Sequence, residues 1–401
     1  MRGQFDEFAG SEKGSRCFET RAFPVRARRR VLLVALLALA VGAGAYLRLG
    51  RGGAGPVRTP ATAAAILANT PVDAGAYLSR PAPAFRLIDQ FGQTVTLAQF
   101  RGRAVVLAFI DDQCTTICPL TMESMVGAER LLGAAAARHM VLLAVNVNPT
   151  ATSVADVRQY SAAHGLMNRW LFLTGSPATL ARVWKQYGIY TAVIHGVVDH
   201  TPALYVIAPN GRERWVAETA MEYRAVNTEA LVLARVVQGV LPHAAVKRLP
   251  RLTVPPPPSP KTASIPAITA SGRHGTVALA GHGPTLVVFA ASWAPELAAN
   301  WRTLAAQARA HANIRVVVVD IGTVEPSSTA FERFMAANPS LPPMTVAYDA
   351  TGQLADALGA QNIPESVLLT GGGRVLWRSQ SWPITSSWAR FGQLLAKAGK
   401  G

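Results

Sequence analysis

Cys114 and Cys118 stand four apart in DDQCTTICPL, residues 111–120, in a chain of 401 residues with 3 cysteines. Two thiols this close admit three chemistries: they can close a disulfide, exchange electrons as a dithiol, or hold a soft metal as thiolates. A disulfide across so short a loop constrains little of the unfolded chain and stabilises little. Pro119 suits the first turn of a helix, where its missing N–H is not needed. Cys118 then sits at a helix start, where unpaired N–H groups and the macrodipole favour a thiolate. Cys114, one loop earlier, can curl back towards it. A thiolate pair is a soft donor set that selects Cu(I), and an added imidazole also suits Cu(II). Redox chemistry without a metal stays open at this point.

The compartment bears on that choice. RARRR (26–30) precedes the apolar run VLLVALLALAVGAGAYL (31–47), which carries no charge. A run of this length is at the lower limit for a membrane span. Five arginines lie between Arg21 and Arg30, so the positive-inside rule places the N-terminus in the cytoplasm and the rest of the chain outside it. A cleaved signal peptide is the rival, since Ala43-Gly44-Ala45 resembles a cleavage site. The long tail before the run favours an uncleaved single-pass anchor. On either reading Cys114 and Cys118 are exported, where thiols oxidise unless they are reduced or metal-bound. Cys17 stays inside with no special role. The net charge is +16 with 39 Lys and Arg, but the basic residues are scattered and not interleaved with aromatics, which argues against nucleic acid. A basic surface facing an anionic membrane is the simpler account.

Composition divides the chain into a cytoplasmic tail (1–30), the anchor (31–47), a Gly/Pro/Ala-rich tether (48–79), a first domain (80–247), a Pro-rich linker (248–263) and a second domain (264–401). In the first domain, FRLIDQFGQTVTLAQF (85–100) reads as two short strands around Phe91-Gly92, and AVVLAFI (104–110) as a strand buried on both faces. The cysteine loop follows, then a helical stretch (119–139), a buried strand (140–148), a helix (153–165), a strand (170–175) and a helix capped by Ser176. A hairpin turning at Asn210-Gly211 and a helix (225–241) close the domain. The second domain repeats the scheme with a strand (285–291), a helix (292–311), a strand (314–322) and a hairpin (363–378). The layout is α/β, a central sheet flanked by helices, twice over.

Both halves resemble the thioredoxin superfamily, and the first resembles the Sco/SenC family of copper-handling proteins over about residues 80–242. The resemblance rests on Cys114, Cys118 and Pro119 after a buried strand, on Asp199-His200 in VVDHTPALYVIAPNGRERW, and on WLFLTGSPATLARVWKQYGI. It implies two thioredoxin-like domains behind a transmembrane helix, and copper held by Cys114, Cys118 and His200. It also implies Cys114 and Cys118 as a redox-active pair, and delivery of copper to the dinuclear site of the cytochrome c oxidase copper subunit. A thiol reductase is a further implied partner, and a thiol–disulfide reductase without obligatory copper is the alternative function. The sequence departs from the family at Asn148-Pro149, where an Asp-Pro step is usual, and at Asp111-Asp112-Gln113, where an aromatic is usual. The second domain resembles a TlpA-type thioredoxin-like domain that has lost its cysteines: the junction SWAPEL places Ala294 and Leu297 where they would stand, and Pro364 matches the cis-proline.

Simpler readings stand beside these. A lone His200 would be a solvated hairpin residue, and Asp199 an exposed turn acid or a group that tunes local charge. His195 reads as a loop residue, Met122 and Met125 as helix core, and Glu123 as a solvated helix residue. Thr115-x-x-Cys118 fits part of a peroxiredoxin site, but Asp111 stands where such sites carry proline. Trp293 reads either as domain packing or, with Pro364, as a surface for an extended peptide or client.

Overall fold

The structure is a computed structural model that describes residues 61–242, 247–258, 265–268, 274–339 and 343–398. Residues 1–30, read as a cytoplasmic tail, with Cys17 among them, and the apolar segment 31–47 lie outside the described residues. Among the described residues no helix is long and apolar enough to cross a membrane.

The first lobe is organised by β4 (Ala104–Ile110), all seven residues of which are buried. Its side chains alternate between two cores, as the pleat requires. Val106, Ala108 and Ile110 join one apolar cluster and Val105, Leu107 and Phe109 the other. This is why the run AVVLAFI carries no polar residue. The sheet order is β1-β10-β9-β4-β5-β6, formed with β1 (Ala76–Pro81), β5 (Met140–Asn146), β6 (Trp170–Leu173), β9 (Ala203–Ile207) and β10 (Arg212–Glu218). Strands β4, β5 and β6 are parallel, while β9 and β10 return antiparallel. Among the described residues five helices contribute to the core on one face: chiefly α2 (Ile117–Leu132), α4 (Val154–Ala163) and α6 (Val226–Gln238), with Leu67 of α1 (Ala61–Leu67) and Ala136 of α3 (Ala134–Ala137). Helix α5 (Pro177–Tyr187) packs on the other through Leu180, Val183, Trp184 and Tyr187. Strand β1 begins within the stretch read from composition as tether (48–79) and runs two residues past it. The expected helix 119–139 is broken at Gly133, whose φ of 80° suits glycine, and continues as the single turn α3 (Ala134–Ala137).

The second sheet has the order β12-β11-β15-β14-β13-β16-β17. Its strands are β11 (Ile265–Ile268), β12 (His274–Val277), β13 (Thr285–Ala290), β14 (Arg315–Ile321), β15 (Thr345–Asp349), β16 (Glu365–Leu369) and β17 (Val375–Ser379). The run β15-β14-β13-β16-β17 repeats the order and polarity of β6-β5-β4-β9-β10. Sequence patterning identifies β13, β14 and the β16–β17 hairpin and misses β11, β12 and β15. The Ile363–Pro364 peptide bond is cis.

The two lobes share a seam. Leu120, Tyr223 and Val226 of the first lobe belong to the apolar core of the second. The Asp356 carboxylate accepts the backbone N–H groups of Tyr223 and Arg224 at 2.9 Å each. Gly352 has φ +72°, and a Cβ there would lie 2.3 Å from the Tyr223 Cβ and 2.7 Å from its backbone carbon. Both the backbone conformation and the close approach therefore require glycine. Gly352→Ala is expected to cost about 1–3 kcal/mol, seen as a lower denaturation midpoint in urea.

Candidate thiol and metal site

The cysteine loop leaves the C-terminal end of β4 and enters α2. Its path is set by Asp111, whose carboxylate accepts the Gln113 N–H at 3.0 Å while its carbonyl accepts the Cys114 N–H at 3.2 Å. The same carboxylate oxygen accepts from the Asn148 amide at 2.9 Å. Asn148 in turn accepts the Thr150 and Ala151 N–H groups at 2.9 and 3.1 Å. Beside it, Asn146 donates to Asp112 at 3.1 Å. The two places where the sequence departs from the Sco/SenC pattern thus bond to each other. A carboxylate at 148 could not donate to Asp111; an amide can.

Cys114 is half-buried and Cys118 is buried; both are free thiols. The Cys118 N–H donates to Cys114 Sγ at 3.4 Å, and the Thr116 hydroxyl lies 3.2 Å from the same sulfur. Hydrogen bonding from the Cys118 side chain lowers the Cys114 pKa to about 7, against the opposing effect of burial. Burial first, and then the bond to Cys114, push Cys118 well up. The helix start was expected to favour a Cys118 thiolate. The structure reverses the assignment, because Cys118 Sγ faces the core of the first lobe while Cys114 collects the donors.

His200 comes from a two-stranded ladder that sequence patterning missed, β7 (Thr191–Ile194) with β8 (Val197–His200). Its turn is made by His195 and Gly196, at φ 51° and 82°. His195 thus lies at the exposed tip, and Asp199 is exposed on β8. His200 Nδ1 is 3.1 Å from the Thr201 carbonyl oxygen. A carbonyl only accepts, so Nδ1 carries the proton and Nε2 presents a lone pair. Nε2 lies 3.7 Å from Cys118 Sγ. Burial lowers the His200 pKa, which keeps the ring neutral and suited to ligation. Among the described residues no three His, Cys, Asp or Glu side chains are spaced as a closed metal shell. The soft donors and the fixed tautomer nevertheless fit a soft cation in kind.

Met122 and Met125 are buried core residues, as read. Glu123 is buried rather than solvated; it pairs with Arg130 at 3.2 Å, and burial raises its pKa to about 7. Sequence reasoning also passed over Tyr160, whose hydroxyl donates to the Cys114 carbonyl at 3.5 Å. No motif marks it, since a tyrosine at helical spacing reads as core.

Residues 76–231 match the sequence profile of the SCO1/SenC family. The mitochondrial SCO2 homolog of Bos taurus is 33% identical over 134 residues, 32% of this chain and 50% of the relative. That of Homo sapiens is 30% identical over 134 residues, with the same two shares. The chain thus spans about half the length of the curated relatives it matches. Among solved structures, copper-bound ScoI of Bradyrhizobium japonicum aligns with a TM-score of 0.34 and 23% identity, over 40% of this chain and 99% of that one. Copper-bound ScoI of Arabidopsis thaliana aligns with a TM-score of 0.35 and 21% identity, over 39% of this chain and 97% of that one.

Two measurements test the geometry. Alkylation of the reduced protein should modify Cys114 ahead of Cys118, with a rate that rises as pH climbs through about 7. Cys118→Ala removes the main stabiliser of that thiolate, so the midpoint should move up towards the ordinary thiol value of 9.0. Asn148→Asp sets two carboxylates against each other and should cost about 1–3 kcal/mol at neutral pH. Protonating one of them restores a donor, so part of that loss should return as pH falls, read by denaturation at two pH values.

Proposed function

We propose that this chain is a membrane-anchored, exported copper metallochaperone whose first lobe holds one copper ion through Cys114, Cys118 and His200. The observation that carries the reading is the His200 imidazole, fixed by its bond to the Thr201 carbonyl with the Nε2 lone pair turned to Cys118 Sγ at 3.7 Å. Two thiols and a neutral imidazole on that spacing are a soft donor set suited to Cu(I). Copper is here the cargo. The copper-bound relatives and the SCO1/SenC profile match support the reading.

Ligand exchange would move the ion. Cys114, half-exposed and ionised more easily, gives way first to an incoming client thiolate; Cys118 and His200, deeper in the lobe, let go last. The client we infer is the copper subunit of cytochrome c oxidase. The segment 31–47 would anchor the chain with its N-terminus in the cytoplasm, and 80–247 and 264–401 would be two thioredoxin-like domains on the outer side. The second has Ala294 and Leu297 in place of cysteines and performs no thiol chemistry.

The unequal acidity of Cys114 and Cys118 favours one second reading, a thiol–disulfide reductase that keeps client cysteines reduced, itself recharged by an exported thiol reductase. That reading needs both cysteines and not His200. Titration of the reduced protein with Cu(I) against a competing chelator should give one ion per chain. His200→Ala should weaken binding on the order of tenfold or more. Tight binding unchanged in His200→Ala, or no tight binding at all, removes the copper site. Client-reducing activity that survives His200→Ala but not Cys114→Ser points to the reductase.

A further inference from the structure

A client-docking role for the second lobe requires its strand–helix junction to be open, and the junction is turned inward. The Ile363 N–H donates to the Thr115 carbonyl, inside the cysteine loop, at 3.1 Å. The Trp293 ring lies 4.3 Å from that of His164, centroid to centroid, and His164 lies 4.4 Å from Tyr160. Tyr160 closes the series at the Cys114 carbonyl. Trp293 is itself fixed by its indole N–H, which donates to the Val324 carbonyl at 2.8 Å. The shared apolar core at Leu120, Tyr223 and Val226 makes this contact a permanent seam, since domains joined through a common core do not swing freely.

What the seam leaves is a cleft of about 350 Å³, with Asp112, Cys114 and Tyr160 on one wall and Trp293, Ala294 and Glu296 on the other. That volume is at the small end of sites that take small molecules. Ala294, where a working junction would carry cysteine, thus lines the same cleft as the Cys114 thiol.

We propose that the second lobe is a fixed gate over the cysteine loop, so that Cys114 is reached through the interlobe cleft by a small thiol-reactive or metal-carrying molecule, or by a single extended segment, but not by the surface of a folded protein. The occupant of the junction is the chain's own cysteine loop. Trp293 and Ile363 act as positioning residues: Ile363 holds the loop at Thr115 and Trp293 packs on its support His164 while also walling the cleft. The carboxylates of Asp156 and Glu296 at the cleft favour neutral or cationic carriers over anionic ones, while burial pushes Asp112 up to about 8 and leaves it largely protonated at neutral pH. The inference concerns access and stands whether or not the site takes copper.

The test uses the full chain carrying Cys17→Ser and Cys118→Ser, so that Cys114 is the remaining thiol, and one warhead on two carriers. N-ethylmaleimide should react readily. A maleimide borne on a short spacer by a folded protein should react on the order of tenfold or more slowly relative to its rate with a free small thiol, because it must wait for the seam to open. Trp293→Ala should reduce that discrimination several-fold and leave the N-ethylmaleimide rate within about twofold. Equal relative rates for the two carriers would overturn the gate, as would unchanged discrimination in a folded Trp293→Ala protein. Should that variant not fold, Ala294→Cys in the same background decides. A short bis-maleimide should then bridge positions 114 and 294 within one chain; bridging only between chains, or none, overturns the proposal.

Discussion

Burial of the Cys118 sulfur is the constraint from which the rest of the site follows. A buried thiol resists ionisation, so Cys118 keeps its proton and can give a hydrogen bond. The nearby Cys114 sulfur receives it, together with the Cys118 N–H and the Thr116 hydroxyl, and becomes the more acidic thiol of the pair. Two chemically identical residues are thereby made different: one is a half-buried, nucleophilic entry point and the other a deep, protonated anchor. The imidazole of His200 meets the anchor, not the entry point. In the copper exchange we propose, an incoming thiolate would therefore meet the more labile donor first. An oxidant finds the more reactive thiol first as well, which is why the same asymmetry serves dithiol redox chemistry and metal exchange alike.

Much of this was legible in the sequence, and the illegible part has a physical cause. The strand AVVLAFI declared itself, because burial on both faces leaves no room for a polar residue and the chain shows none. The pair Cys114 and Cys118 and the proline after them declared the helix start. His200 was visible only through resemblance. Its ladder is four residues long on each side, and Val193, Ile194 and Val197 in it are exposed, so neither length nor alternation marks it as a strand. The helix start was expected to favour a thiolate at Cys118, and burial of that sulfur pushes its pKa up instead. The helix-start argument considers one end of one helix, whereas the outcome was decided by the sheet packed beneath it.

The departures from the family pattern show the same limit. Read singly, Asp111 and Asn148 are two anomalies. In the structure they are one bond, a carboxylate accepting from an amide, with the loop on one side and the turn after β5 on the other. Pairwise compensation of this kind cannot be seen along a chain, because the partners are 37 residues apart and neither is unusual for its type.

The second lobe extends the argument from residues to whole sheets. Its strand order repeats that of the first, so its strand–helix junction and the turn before β16 fall at the same end of the sheet as the junction that carries Cys114 in the first lobe. When Leu120, Tyr223 and Val226 are drawn into its core, these two ends are brought face to face. Ala294 then lines the same cleft as Cys114. A lobe without cysteine adds no thiol chemistry of its own, and the Ile363 N–H finds its acceptor in Thr115 rather than in a passing peptide. With no cysteine in its sequence, the second lobe offers no competing thiol for whatever Cys114 binds, while its fold supplies a rigid wall for the loop.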